Sequence, residues 1–126
     1  MKLRIQGNSL RLRVSPSEMT RLLEAGRIEE TIHFAHGGDA RLTYALEHAA
    51  ADRDIDLRYR TGEIAIVLST ARTRQWAESD EAGIAGSIEV GGGPLHLLVE
   101  KDFACLDRKG SGNEDAFPNP KADAAC

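Results

Sequence analysis

The chain has 126 residues, 41 % of them hydrophobic and 29 % charged, and a formal net charge of −4. That is enough chain for one domain, with too much core material for a wholly disordered polymer. Its acidity excludes the broadly basic surface of a nonspecific nucleic-acid binder, so no nucleic-acid partner is expected. No membrane partner is expected either, because no apolar run approaches the ~18 residues of a spanning helix. The first turns of sequence lack a signal-like apolar stretch, and the two cysteines, Cys105 and Cys126, come late; the expected setting is the reducing cytoplasm.

The charge is unevenly spread. Residues 1–60 hold ten Lys and Arg against nine Asp and Glu, a balance of +1, while residues 61–126 hold six against eleven, a balance of −5. Lys2, Arg4, Arg11 and Arg13 all precede the first acid, Glu18. Twelve of the sixteen cations are Arg, whose planar fork suits bidentate recognition of anions.

In chain order, Lys2 to Gln6 and Ser9 to Val14 alternate polar with apolar residues, as half-buried strands do. Gly7-Asn8 between them suits a two-residue type II′ turn. Ser15-Pro16-Ser17-Glu18 is a capping box with Pro at the first helical position; the helix carries Met19, Leu22 and Leu23 and stops at Gly26. Arg27 to Ala35 is expected as a strand with Ile28, Ile32 and Phe34 on one face. After Gly37-Gly38-Asp39, Arg41 to Glu47 alternates through Leu42, Tyr44 and Leu46 as a further strand that frays into a loop.

The same series then recurs. Ile55 to Arg60, a Thr61-Gly62 turn and Glu63 to Leu68 form a hairpin. Ser69 caps a helix bearing Trp76, which Gly83 is expected to end, and Ile84 to Val90 pairs with Leu95 to Phe103 across Gly91-Gly92-Gly93-Pro94. An offset of 54 takes Leu3 to Leu57, Arg4 to Arg58, Leu12 to Ile66, Ser15 to Ser69 and Leu22 to Trp76. This is an internal repeat. The expected fold is therefore α+β, two ββαββ units over residues 1–53 and 54–106, forming a mostly antiparallel eight-stranded sheet or a tunnel-like barrel with two helices. Residues 107–126, rich in Gly, Ser, Asn, Pro and charge, read as a polar tail, with Phe117 as its anchor.

The duplicated arrangement resembles the CYTH, or triphosphate tunnel, fold, in which two related halves form an eight-stranded tunnel lined with charge. That family's ExExK signature is absent, because Glu29-Glu30 is adjacent rather than alternating, so its metal role is not carried over. The segments MKLRIQGNSLRLR, EKDFACLDR and NEDAFPNP resemble a family of small uncharacterised bacterial proteins, and this resemblance implies no activity.

A two-residue turn at Gly7-Asn8 sets Arg4 opposite Arg11 and Lys2 opposite Arg13. Like charges directly opposed cost up to about 1 kcal/mol per pair, so a compensating anion is expected. Lys2, Arg4, Arg11, Arg13, Arg58 and Arg60 are the candidate ligand-binding residues, for a phosphorylated or otherwise anionic small molecule. Glu residues among the Arg residues would also suit Mg²⁺-assisted phosphoryl hydrolysis. The competing account is a solvated sheet laced with Arg–Glu pairs that needs no ligand, the chain then acting as a non-enzymatic protein-interaction module through a strand edge or the tail. His33, His36, Asp39 and His96 are ligand types, but residues three apart on a strand face opposite sides, so no metal site is assigned. Cys105 reads as a small buried residue. Phe117 docked on the domain would carry Glu114 and Asp115 across the cationic face.

Overall fold

The computed structural model describes residues 1–104 and 115–118. Its elements are β1 (Lys2–Gln6), β2 (Ser9–Val14), α1 (Pro16–Ala25), β3 (Arg27–His33), β4 (Arg41–Ala49), β5 (Ile55–Arg60), β6 (Glu63–Ser69), α2 (Thr70–Ala77), β7 (Gly83–Glu89) and β8 (Pro94–Lys101). The ββαββ order occurs twice, and local chemistry accounts for most of its boundaries. Gly7 takes φ 54° while Asn8 keeps a negative φ, the combination a type II′ turn requires. The Ser15 hydroxyl accepts from Glu18 N–H, and the Glu18 carboxylate accepts from Ser15 N–H at 3.0 Å, satisfying two amides that the first turn of α1 leaves unpaired. Gly26 closes α1 at φ 80° with its N–H donating to the Leu22 carbonyl.

Two boundaries fall elsewhere than the sequence suggests. α2 ends at Ala77, capped by Glu78 in a right-handed conformation, and Gly83 instead begins β7. Of the three apolar residues expected to share a buried face on β3, only Ile28 is buried; Ile32 and Phe34 are 47 % and 65 % exposed, because α1 covers only the end of β3 nearest to it.

The strands form neither one eight-stranded sheet nor a closed barrel. They form two four-stranded mixed sheets, a first in the order β1-β2-β8-β7 and a second in the order β3-β4-β6-β5. Each hairpin is antiparallel internally, but the hairpins join through parallel pairs, β2 with β8 and β4 with β6. α1 carries the chain from the first sheet to the second and α2 carries it back. Each half of the sequence thus gives one hairpin to each sheet, and exchanging the halves turns one strand order into the other. The tunnel implied by the CYTH resemblance does not form.

One core unites the sheets and helices. Leu12, Val14, Leu97 and Val99 from the first sheet meet Leu46, Ile66 and Leu68 from the second, under Leu22 of α1 and Trp76 of α2, all at most 2 % exposed. The edges β5 and β7 meet where Gly86 passes Ile55: a Cβ on Gly86 would lie 2.4 Å from Ile55 Cγ2. Among the described residues no helix is long and apolar enough to cross a membrane.

Residues 115–118 return to this core. Phe117 packs edge-on against Phe103 with ring centroids 6.1 Å apart, and the Lys101 ammonium sits 5.4 Å from its ring centre. The Phe117 N–H donates to the Asp102 carbonyl at 2.8 Å, so the expected anchor is present. Asp115, however, does not cross the cationic hairpin. Its carboxylate accepts from the Ser17 hydroxyl at 2.6 Å and from the Ser17 N–H at 3.4 Å, at the N-terminus of α1 where a negative charge is favoured. The Ser17 hydroxyl, followed by that of Ser15, holds the Asp115 carboxyl below its ordinary value. Glu114, Cys105 and Cys126 lie outside the described residues.

Candidate functional site

Alternation along β2 buries Leu10, Leu12 and Val14, which turns Ser9, Arg11 and Arg13 to the outer face of the first sheet. The hairpin register places Arg4 opposite Arg11 and Lys2 opposite Arg13, as the turn requires. These four side chains alone line a cleft of about 170 Å³. The adjoining strand β8 and the residue just past its end supply their carboxylates. Glu100 lies 2.6 Å from Arg13 Nε and 3.5 Å from Arg11 Nε, and Asp102 lies 3.0 Å from Lys2 Nζ. Among the described residues, four cations therefore meet two carboxylates. Arg4 donates to Gln6 Oε1 at 3.2 Å and, among the described residues, has no carboxylate within ion-pairing distance.

Arg58 and Arg60 are not part of this cluster. They stand on β5 in the second sheet. Arg58 is consumed by its own surroundings: Nη1 donates to Glu47 Oε2 at 2.8 Å, and Nη2 reaches both Glu47 and Glu63. Arg27 bonds the same Glu47 and comes within 3.6 Å of Glu63. Arg60 lies opposite Glu63 in the hairpin. The Glu47 carboxyl is held below its ordinary value of 4.5, first by the Arg58 hydrogen bond and, against a smaller opposing effect of burial, by Arg27.

A depressed carboxyl contributes stability that is complete above its unfolded pKa and is lost as pH falls through its folded value. Glu47→Gln is therefore expected to lower stability at pH 7 by about 1–2 kcal/mol, discounted for the partial exposure of Arg58. In urea unfolding between pH 6 and pH 3, the gap between native and variant midpoints should narrow as the solution becomes acid. A gap that stays constant would show that Glu47 is no stabilising anion.

The repeat turns these two faces into an internal comparison. Glu100 lies beside Arg13 and opposite Gly83 as Glu47 lies beside Val67 and opposite Arg27. By the same register Arg4 corresponds to Arg58, Ser9 to Glu63, Arg11 to Ala65, Leu98 to Ala45 and Ala85 to Glu29. In the second sheet Arg27, Glu47, Arg58 and Glu63 close over Ala45 and Ala65, which are 1 % and 0 % exposed although they face outward. In the first sheet Glu100 and Arg4 stand where Glu47 and Arg58 do, but Gly83 and Ser9 take the places of Arg27 and Glu63, Ala85 takes that of Glu29, and an arginine stands where Ala65 does. Among the described residues one face is sealed by its own ion pairs, and the other is less covered and holds more cations than carboxylates.

Sequence reasoning does not bring together the residues beside the cleft, and it singles out His96 only as a ligand type for a metal. Ser9, Ala85, His96 and Leu98, with Arg11, line a second hollow of about 280 Å³. The alternation of β8 places His96 and Leu98 on the face of Glu100, but that β2, with Ser9 and Arg11, lies along the other side of β8 has no local signal. His33 lies opposite Arg41 on the second sheet while His96 stands on the first, so the histidines do not converge.

A model of a family of unknown function, DUF7009, matches residues 1–121, and the chain belongs to that family. No curated protein and no solved structure matches it.

Proposed function

We propose that this member of a family of unknown function binds a small anionic molecule, a phosphorylated compound being the class best suited, on the outer face of β1-β2-β8-β7 through Lys2, Arg4, Arg11 and Arg13. The observation that carries the reading is the contrast between repeats: Arg58 is bonded to two carboxylates, and its counterpart Arg4 to none among the described residues. Two opposed pairs of like charges share two carboxylates among the described residues, and a phosphate bonded across Arg4 and Arg11 would offset that repulsion with charge-assisted hydrogen bonds.

The proposal is of binding alone. Glu100 and Asp102 are engaged by Arg11, Arg13 and Lys2, and among the described residues no three His, Cys, Asp or Glu side chains gather as metal ligands. Mg²⁺ on this face would therefore be held chiefly by the phosphate oxygens of the ligand itself.

Phosphate, tripolyphosphate and nucleotides, each with and without Mg²⁺, are to be screened by thermal shift. A ligand at ten times its Kd adds about 1.4 kcal/mol, or roughly 4 °C or more for a domain of this size. The shift is expected in the native protein and not in Arg4→Ala. A flat screen would overturn the reading and favour an interaction module at an open strand edge.

A further inference from the structure

The oxyanion accounts for only one of two adjoining hollows. The second, of about 280 Å³, shares Arg11 with the cationic cleft and has a different character: Leu98 and Ala85 supply apolar surface, and Ser9 and His96 stand side by side at its rim. Its depth comes from β7, where Ala85 stands opposite Leu98 and where the corresponding position of the second sheet holds Glu29. Beyond Ala85 and Gly86 the surface becomes acidic, a broad depression bearing Asp52, Asp54 and Glu89 around the single Arg53. An anionic group is thus attracted to the β1-β2 side and repelled from the β7 side, which fixes the direction in which a ligand lies.

We infer, building on the anion-binding reading, that the ligand is an oxyanion joined to a compact, ring-sized apolar body. The anionic group rests on Arg4 and Arg11 and the body covers Leu98 and Ala85, with Ser9 and His96 available to hydrogen-bond a polar substituent at the junction. The hollow has room for one ring and its substituents, and Arg11, lining both spaces, is the natural bridge between anion and body. Burying one ring face against Leu98 and Ala85 strengthens binding by about tenfold over the bare anion.

Calorimetric titration of the full chain with inorganic phosphate and with phenyl phosphate tests this. Phenyl phosphate is expected to bind about tenfold more tightly, and Ala85→Leu, an exposed position where added bulk fills the hollow, should bring the ratio of the two affinities to about one. Leu98→Ser should reduce the advantage from the opposite wall, so the test does not depend on one variant folding. Equal affinity for the two compounds would overturn the inference and leave the anion-binding reading standing. An advantage that survives both substitutions would overturn it as well. Failure of both compounds to bind would overturn both readings.

Discussion

Gly83→Ala is expected to destabilise the protein by about 3 kcal/mol, more than its single added carbon suggests. A Cβ at Gly83 would lie 2.3 Å from the Val99 carbonyl oxygen and 3.1 Å from Glu100 Cα. These are backbone atoms of the neighbouring strand, and no side-chain rotation relieves the clash; β7 and β8 must separate locally, at the upper end of the usual cost of overpacking. Gly86→Ala meets Ile55 Cγ2 instead, a side chain that can shift, so its cost should be smaller. Urea unfolding of both variants checks the order, and equal or reversed losses would refute the steric account. Because Gly83 pairs with Glu100, the first substitution should also disturb the carboxylate that positions Arg11 and Arg13.

Trp76→Ala is expected to cost about 3–5 kcal/mol, the range for deleting a fully buried aromatic side chain, since Trp76 is 0 % exposed and lies in the core shared by both sheets. Trp76→Phe should cost only about 1 kcal/mol. Among the described residues the buried indole N–H has no hydrogen-bond partner, and removing an unsatisfied donor returns part of what the smaller ring loses in packing. Trp76 is the single tryptophan, so unfolding is best followed by far-ultraviolet circular dichroism. A Phe variant as unstable as the Ala variant would show that the indole N–H is satisfied in solution.

Much of the local structure was legible because it is written in adjacent residues. A two-residue turn fixes a hairpin register without reference to the rest of the chain, and the Lys2–Arg13 and Arg4–Arg11 pairs followed from Gly7-Asn8 alone. Ser15 and Glu18 announced α1, and the recurrence of Ser69 and Trp76 announced the repeat. The partition into two sheets was not legible, because Ser9 to Val14 alternates identically whichever strand lies beside it. Its parallel partner begins near His96, and such a pairing has no turn to mark it. The same gap misdirected the site: Arg58 resembles Arg4 in the sequence, yet the crossed hairpins put it in the other sheet beside Glu47. Gly83 follows α2 as a helix-stopping glycine would, yet it begins β7, where close approach to the β8 backbone is what requires it. Arg–Glu pairing of the kind expected of a solvated sheet is found on both sheets, most densely on the second, where Arg27 and Arg58 share Glu47.

The crossed exchange of hairpins also bears on the order of assembly. The cationic residues lie within the first thirteen positions, but Glu100 and Asp102, which hold three of them in place, arrive with the last strand. Joining β2 to β8 closes a loop of nearly the whole described chain, the kind of contact whose closure entropy slows folding. During synthesis the N-terminal hairpin is a bare ribbon of like charge with no neighbouring strand, and the face becomes a defined surface only after β8 has emerged. The cationic face is therefore a property of the assembled first sheet and not of the hairpin that carries its four cations.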